Sequence, residues 1–330
     1  MTALRDLDVE VTEYIPRVAQ SMPLPGRLAG LRRRHLAPLT AAWLGLHAVS
    51  RLPAIAASRH SDLVWLERSF VPGLERLTRL LKPPIVLDAD DAIWLEGLAG
   101  RSTPTLAARV DAVIAGNRYL ADWFSQYCQR VYIVPTAVDC RRYLTPARPG
   151  PRHGVVLGWT GTSGNFGYLT AIQPALARVL REVPGASLLV VADRPPELPL
   201  LAGRPVTFER WSEAAEVSAL HRMDIGLMPL ADDPWTRGKC SFKMLQYMAA
   251  ELPTVVSPVG MNKEVLGLGE SGLEALTTDD WTEALLTLAA DPDRRRAMGK
   301  VGRAVVERHF DVPVVAAHIA AAFRDVVQGI

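Results

Sequence analysis

Short apolar runs rich in branched residues recur along the chain, and stretches with helical spacing separate them. Residues 62–66 (DLVWL), 85–87 (IVL), 112–115 (AVIA) and 131–134 (VYIV) read as strands. Segments 74–81, 105–110 and 118–127 between and after them read as helices. Strands that alternate with helices cannot pair as hairpins. They imply a parallel sheet with helices covering both faces. The pattern breaks at the Pro-, Gly- and Arg-rich stretch from Thr145 to Gly154, which reads as a linker. It then restarts, with strands expected at 155–159, 187–192, 206–208, 225–229 and 254–256. Helices are expected up to about residue 183, over 213–222, and at 281–289, 294–308 and 313–327. An alternating segment at 6–16 (DLDVEVTEYIP) predicts one more strand at the start. The expected fold class is therefore α/β: two Rossmann-like, doubly wound parallel-sheet domains facing across a cleft. They are placed at 1–147 and 151–312.

The chain's 330 residues are enough for two cores of ordinary size. With 37 Lys and Arg against 35 Asp and Glu, the net charge is +2. That balance argues against a dedicated nucleic-acid binder. Cys128, Cys140 and Cys240 form no CxxC or Cys/His cluster, so neither a zinc site nor a disulfide framework is expected. The seven histidines include no i, i+4 pair. No signal-peptide pattern opens the chain, and the expected compartment is the cytoplasm. Arg32, Arg33 and Arg34 precede an apolar tract at 36–49. An amphipathic helix with a solvated basic start is the simpler reading, and peripheral contact with an anionic membrane face is the alternative.

The stretch that carries the most chemistry runs from Asp232 to Glu264. It reads as loop, helix, tight link, buried strand and glycine-containing turn. Arg237, Lys239 and Lys243 gather at the loop and helix start. A helix N-terminus presents free N–H groups and partial positive charge, so an anion is favoured there. Ser241 is expected to cap the helix, with Lys243 in the first turn and Gln246 one turn on. This suits a diphosphate, with a polar group set to meet a sugar hydroxyl. Gly161 and Thr162 open a second, glycine-rich turn (GTSGNFG) between a strand and a helix, where backbone can approach phosphate closely. The spacing is not GxGxxG, which weakens a dinucleotide reading. A third candidate is the acidic cluster Asp88, Asp90 and Asp91 at a strand end. One carboxylate, with Asp91 the nearest, is expected to cap a helix and another to face a ligand. Asn117, after the next strand, is a further candidate.

The segment GKCSFKMLQYMAAELPTVVSPVG resembles the donor-binding segment of retaining glycosyltransferases of the GT-B architecture, in particular family 4 (glycosyl transferases group 1). KPPIVLDADDAIW, VYIVPTAVD and VVLGWTGTSGNFGYL resemble successive strand ends of that family. The resemblance implies transfer of a sugar from a nucleotide-sugar donor to a saccharide or lipid-linked hydroxyl acceptor, without cofactor or metal. It implies that the last helix, 313–330, packs back on the first domain. It also places Asp90 roughly where the family often has His, which makes Asp90 the first choice for a cleft-facing polar group, with Asp91 and Asn117 as the other catalytic candidates.

The chain departs from the family pattern at several places. The E-x7-E glutamates fall at Gly238 and Gln246. Glu251 stands where a helix-ending Gly is common, which predicts a link to Pro253 that is either slightly strained or differently shaped. The Arg and Lys expected near the glycine-rich turn are absent, so Arg237, Lys239 and Lys243 are expected to supply the charge. The N-terminal domain reads as shortened. Two other functions stay open: a non-catalytic glycosyltransferase-like binding or regulatory protein, and an NAD-dependent oxidoreductase.

Overall fold

In the computed structural model, the alternating pattern folds into two parallel sheets. The structure describes residues 2–15, 33–71, 73–82, 84–144 and 154–329. Contacts divide the chain into one unit of Met1–Val134 with Ala316–Ile330 and another of Pro135–Val315.

The first unit carries strands β1 (Val64–Glu67), β2 (Ile85–Ala89), β3 (Ala112–Ala115) and β4 (Val131–Ile133), paired in that order. All pairs are parallel, with Val86 opposite Ala112 and Val113 opposite Val131. Ile85, Val86, Leu87, Val113 and Ile114 are buried, as expected for a sheet covered on both faces. From Ala316 onward, the C-terminal helix Val312–Gln328 belongs to this unit. Its Phe323 meets Trp65 edge-on at 5.4 Å, and its Ala316 and Ala320 pack on Leu4.

Two expectations in this unit are corrected. No strand forms at 9–15: a one-turn helix, Thr2–Arg5, is followed by unpaired chain. Val9 and Val11 turn one face to Ala316, Ile319 and Ala320. Their alternation thus reflects one-sided burial on a helix, not a sheet ladder. The segment at 74–81 is a 3-10 helix, Glu75–Leu80. The basic triplet Arg32–Arg34 lies outside the described residues, except for the backbone of Arg33 and Arg34 at the start of helix Arg33–Ser50. Among the described residues no helix is long and apolar enough to cross a membrane.

The second unit carries β5 (Val156–Thr160), β6 (Ser187–Ala192), β7 (Val206–Arg210), β8 (Ile225–Met228), β9 (Thr254–Val256) and β10 (Gly272–Glu274). Their order is β10-β9-β8-β5-β6-β7, all parallel. β10, at the sheet edge, was not expected; three residues are too few to show a period. The boundary between the units falls at Val134/Pro135 rather than near residue 147. Several contacts tie residues 138–143 into the second unit. Among them, the Val138 N–H donates to Phe310 O at 2.8 Å, the Cys140 N–H to the Asp311 carboxylate at 3.0 Å, and the Tyr143 hydroxyl to Glu216. The expected linker lies outside the described residues up to 153.

The chain leaves β5 toward β6 and β7, then returns to β8 on the other side of β5. Strand order therefore reverses between β5 and β8, and ligands of open parallel sheets bind at such points, outside the strands' carboxyl ends. Glycine in β8 has a packing cause. A Cβ on Gly226 would stand 2.3 Å from Cγ of Tyr247. Gly226→Ala is expected to destabilise the chain by about 1–3 kcal/mol in urea denaturation, because a fully buried ring would have to move; an unchanged midpoint would contradict this packing.

Candidate functional site

At the carboxyl ends of β5 and β8, the elements are bound by one hydroxyl. Tyr247, fully buried in helix Phe242–Ala249, accepts the Thr160 N–H at 2.8 Å and donates to Leu227 O at 3.3 Å. Burial pushes this phenol up to about 12. It therefore stays protonated and keeps both bonds. The contact sets the start of the helix beside the turn that leaves β5.

Lys243 lies in the first turn of that helix. Its Nζ sits 4.8 Å from the centre of the Trp159 ring. A Cβ on Gly161 would come within 2.5 Å of the same Nζ and 2.6 Å of the Trp159 ring, so a side chain there would displace one or the other. Burial, then repulsion from Lys239, brings the ammonium down to about 8. Among the described residues, no carboxylate pairs with Lys243. Its compensation is the cation–π contact. A half-buried cation without a counter-ion suits an incoming anion.

Other predicted residues cluster here with altered roles. Ser241 is not a side-chain cap. It takes a left-handed conformation (φ 54°) outside the region an N-cap uses, and its Oγ donates to Asn262 Oδ1 at 2.7 Å. The N-cap residue thus makes no side-chain cap bond. Arg237 forms a two-pronged ion pair with Asp232, at 2.6 and 3.1 Å, so Lys239 and Lys243 carry the positive field. Lys239 Nζ lies 5.3 Å from the Trp235 ring. The Gly161 N–H donates to Val191 O, and the Ser163 N–H donates to Asp193. These two amides are consumed within the fold; the turn contributes closeness to Lys243 instead. Thr162 Oγ1 accepts from Asn165 Nδ2 at 3.0 Å. Gln246 is buried and donates to Tyr143 at 3.0 Å. Glu251 has φ 56°, which matches the strained link expected at that position.

In the first unit, the acidic cluster is organised by Arg68, which sequence reasoning missed. Its guanidinium meets Asp90 at 3.0 Å, Asp91 at 2.7 Å and Glu96 at 3.2 Å. The N-cap position of the following turn is Ala92, not Asp90 or Asp91. The guanidinium offers the carboxylates a stronger partner than a 3-10 turn. Asp88 accepts the Trp65 indole N–H at 3.1 Å, and burial pushes its carboxyl up to about 7. Asn117 is buried and caps helix Arg118–Phe124, where its Oδ1 accepts the Leu120 N–H at 2.9 Å. Trp159, Tyr143, Glu216 and Asn262 were also missed; each acts through a contact remote in sequence. Among the described residues, no group of three or more His, Cys, Asp or Glu side chains is placed to hold a metal ion.

Comparison with known proteins bears on the fold and on the class of protein. The fold, α/β with two parallel-sheet units, is that of GT-B glycosyltransferase structures. A sucrose-phosphate synthase from Thermosynechococcus elongatus superposes with a TM-score of 0.70 at 15% identity, over 92% of this chain and 82% of that one. Anabaena HepE, in complex with UDP and glucose, gives 0.66 at 17% identity, over 91% and 83%. Residues 155–291 match the family described as glycosyl transferases group 1. A D-inositol 3-phosphate glycosyltransferase from Segniliparus rotundus is 25% identical, over 96% of this chain and 77% of its own length. The family match and this last relative support a glycosyltransferase, and the solved structures support the fold.

The Lys243 ammonium is disfavoured in the folded chain relative to its ordinary 10.5. This group therefore costs stability at pH values below about 8, and the cost fades as pH rises toward 10.5. Lys243→Met should make the protein more stable than the parent near pH 7, and should remove the gain the parent shows between about pH 8 and pH 10. Urea denaturation at the two ends of that window checks this; equal pH dependence in both proteins would mean that the ammonium is well solvated.

Proposed function

We propose that the second unit binds a nucleotide-sugar donor and that the protein transfers the sugar to a hydroxyl acceptor with retention of anomeric configuration. The observation that carries this is Lys243: a half-buried ammonium with no carboxylate partner among the described residues, set against Gly161 where strand order reverses. Departure of a nucleoside diphosphate concentrates negative charge on its oxygens. A cation already desolvated there, with a second at Lys239 and an uncapped helix start, stabilises that charge without reorganising. Asp90, half-exposed beside Arg68, is the group assigned to an acceptor hydroxyl. Retention comes from the resemblance alone; the nucleotide-sugar class comes from the resemblance with support from the UDP and glucose in the Anabaena structure. The second reading, nucleotide binding without turnover, draws on the neutral residues Gly238 and Gln246.

Calorimetry with ADP, GDP and UDP should find one that binds, with Lys243→Ala weakening it about 10-fold to 100-fold. Affinity should fall as pH rises past about 8, as the lysine loses its proton, and a phosphate partner should draw proton uptake in that range. No binding by the parent protein would overturn the donor site. Slow release of the diphosphate from the matching nucleotide sugar, followed by NMR of the freed or transferred sugar, then separates turnover from binding and reads the anomeric configuration.

A further inference from the structure

The neutral residue at 246 and the carboxylate at 216 form one device. Tyr143 is buried, and its hydroxyl donates to Glu216 Oε1 at 3.0 Å. The other carboxylate oxygen, Oε2, accepts the Trp211 indole N–H at 2.9 Å. A carboxylate only accepts, so the single phenolic proton is committed to Glu216. The tyrosine oxygen can then only accept from its other side. Gln246 meets it at 3.0 Å and must present its amide nitrogen. Which end of a glutamine faces a partner is otherwise ambiguous, but here the chain of donors settles it. The amide oxygen of Gln246 is turned the other way, and among the described residues no group donates to it. The phenol is pushed up to about 12, mainly by burial, so the proton stays in place.

We propose that Glu216, acting through Tyr143, is a positioning residue that fixes Gln246 with its amide oxygen outward, as acceptor for the ribose hydroxyls of the donor nucleotide. This rests on the nucleotide-sugar reading above. It also explains why glutamine stands at 246. A glutamate there would bring a second carboxylate to a tyrosine oxygen with no proton left to give. The charge sits instead on helix Glu213–Leu220, one tyrosine away. A glutamate at 246 becomes acceptable only if residue 216 can donate, which reverses the direction of both hydrogen bonds.

The test is binding of ADP, GDP and UDP and of their 2′-deoxy forms to the parent protein, Gln246→Glu, Glu216→Gln and the double variant. The parent should prefer the ribo form of its nucleotide by about 10-fold. Gln246→Glu should lose about 10-fold or more in affinity for that form, and its ribo preference with it. The double variant should recover both, since the amide introduced at position 216 donates to Tyr143, and Tyr143 donates to the carboxylate introduced at position 246. A general loss of packing would weaken ribo and deoxy forms alike, and a second substitution would not repair it. If Gln246→Glu does not fold, Glu216→Gln still decides the matter: it frees the phenolic proton and should lower the ribo preference while leaving the deoxy affinity within about 3-fold. Binding by the parent with no ribo preference, or a double variant no better than Gln246→Glu, overturns the inference and leaves the donor site standing. No binding of any nucleotide by the parent overturns both.

Discussion

One phenolic oxygen sets the geometry on which the candidate site depends. Tyr247 receives the Thr160 N–H from the end of β5 and donates to Leu227 in β8. The helix that carries Lys243 is thereby held against the two strands between which the sheet order reverses. Each partner is a buried backbone group that would otherwise lack a bond, so the cost of misplacing the ring is that of an orphaned donor and an orphaned acceptor together. Gly226 removes the side chain that would push the ring away. Four residues before Tyr247 on the same helix, Lys243 is left within reach of Gly161, with Trp159 beneath its ammonium.

The same spot divides its three basic residues between two uses. Arg237 answers Asp232 and is exposed, so its charge is neutralised locally and screened by water. Lys243 answers no carboxylate and is desolvated. Electrostatic stabilisation in a site comes from charges whose solvation cost has been met before the ligand arrives. The core of the second unit meets that cost, through the burial of Met244, Leu245, Tyr247 and Met248 on the same helix. The chain thus gives up a little stability for a charge that is ready.

Much of this was legible in the sequence. The alternation of short apolar runs and helical stretches showed two parallel sheets, because both-face burial leaves a continuous apolar signature that survives without knowledge of neighbours. The clustering of Lys239, Lys243 and Gln246 was equally visible, since helix spacing sets which residues share a turn. What escaped was every feature made by residues distant in sequence. Arg68 reaches Asp90 and Asp91 across about twenty positions, and Tyr143 reaches Gln246 across about a hundred, a separation no local pattern encodes. Ser241 has the composition of a cap, yet Asn262, reached from the next helix, takes its hydroxyl. Val9 and Val11 alternate like a strand because a helix face and a sheet face both ask for one-sided burial.

The helix Phe242–Ala249 is flanked at both ends by left-handed residues that are not glycine. Ser241 precedes it with φ 54°, and Glu251, just after its C-cap Ala250, has φ 56°. Both are left-handed conformations that cost a residue with a Cβ about 1–2 kcal/mol. Strain at non-glycine residues persists only where surrounding packing overrides local preference, and such positions gather at functional sites. Here the override is visible: the Glu251 carbonyl is packed so tightly that a Cβ on Gly299 would fall 2.1 Å from it, and Ser241 is locked to Asn262. Relaxing either end by substituting glycine would relieve strain yet loosen the turn that precedes Lys243 or the link that follows the helix. A left-handed serine bonded to Asn262 does not cap the first N–H groups of the helix. The strain and the open helix start are therefore one feature. A serine in the ordinary capping conformation would take one of those N–H groups for its own hydroxyl.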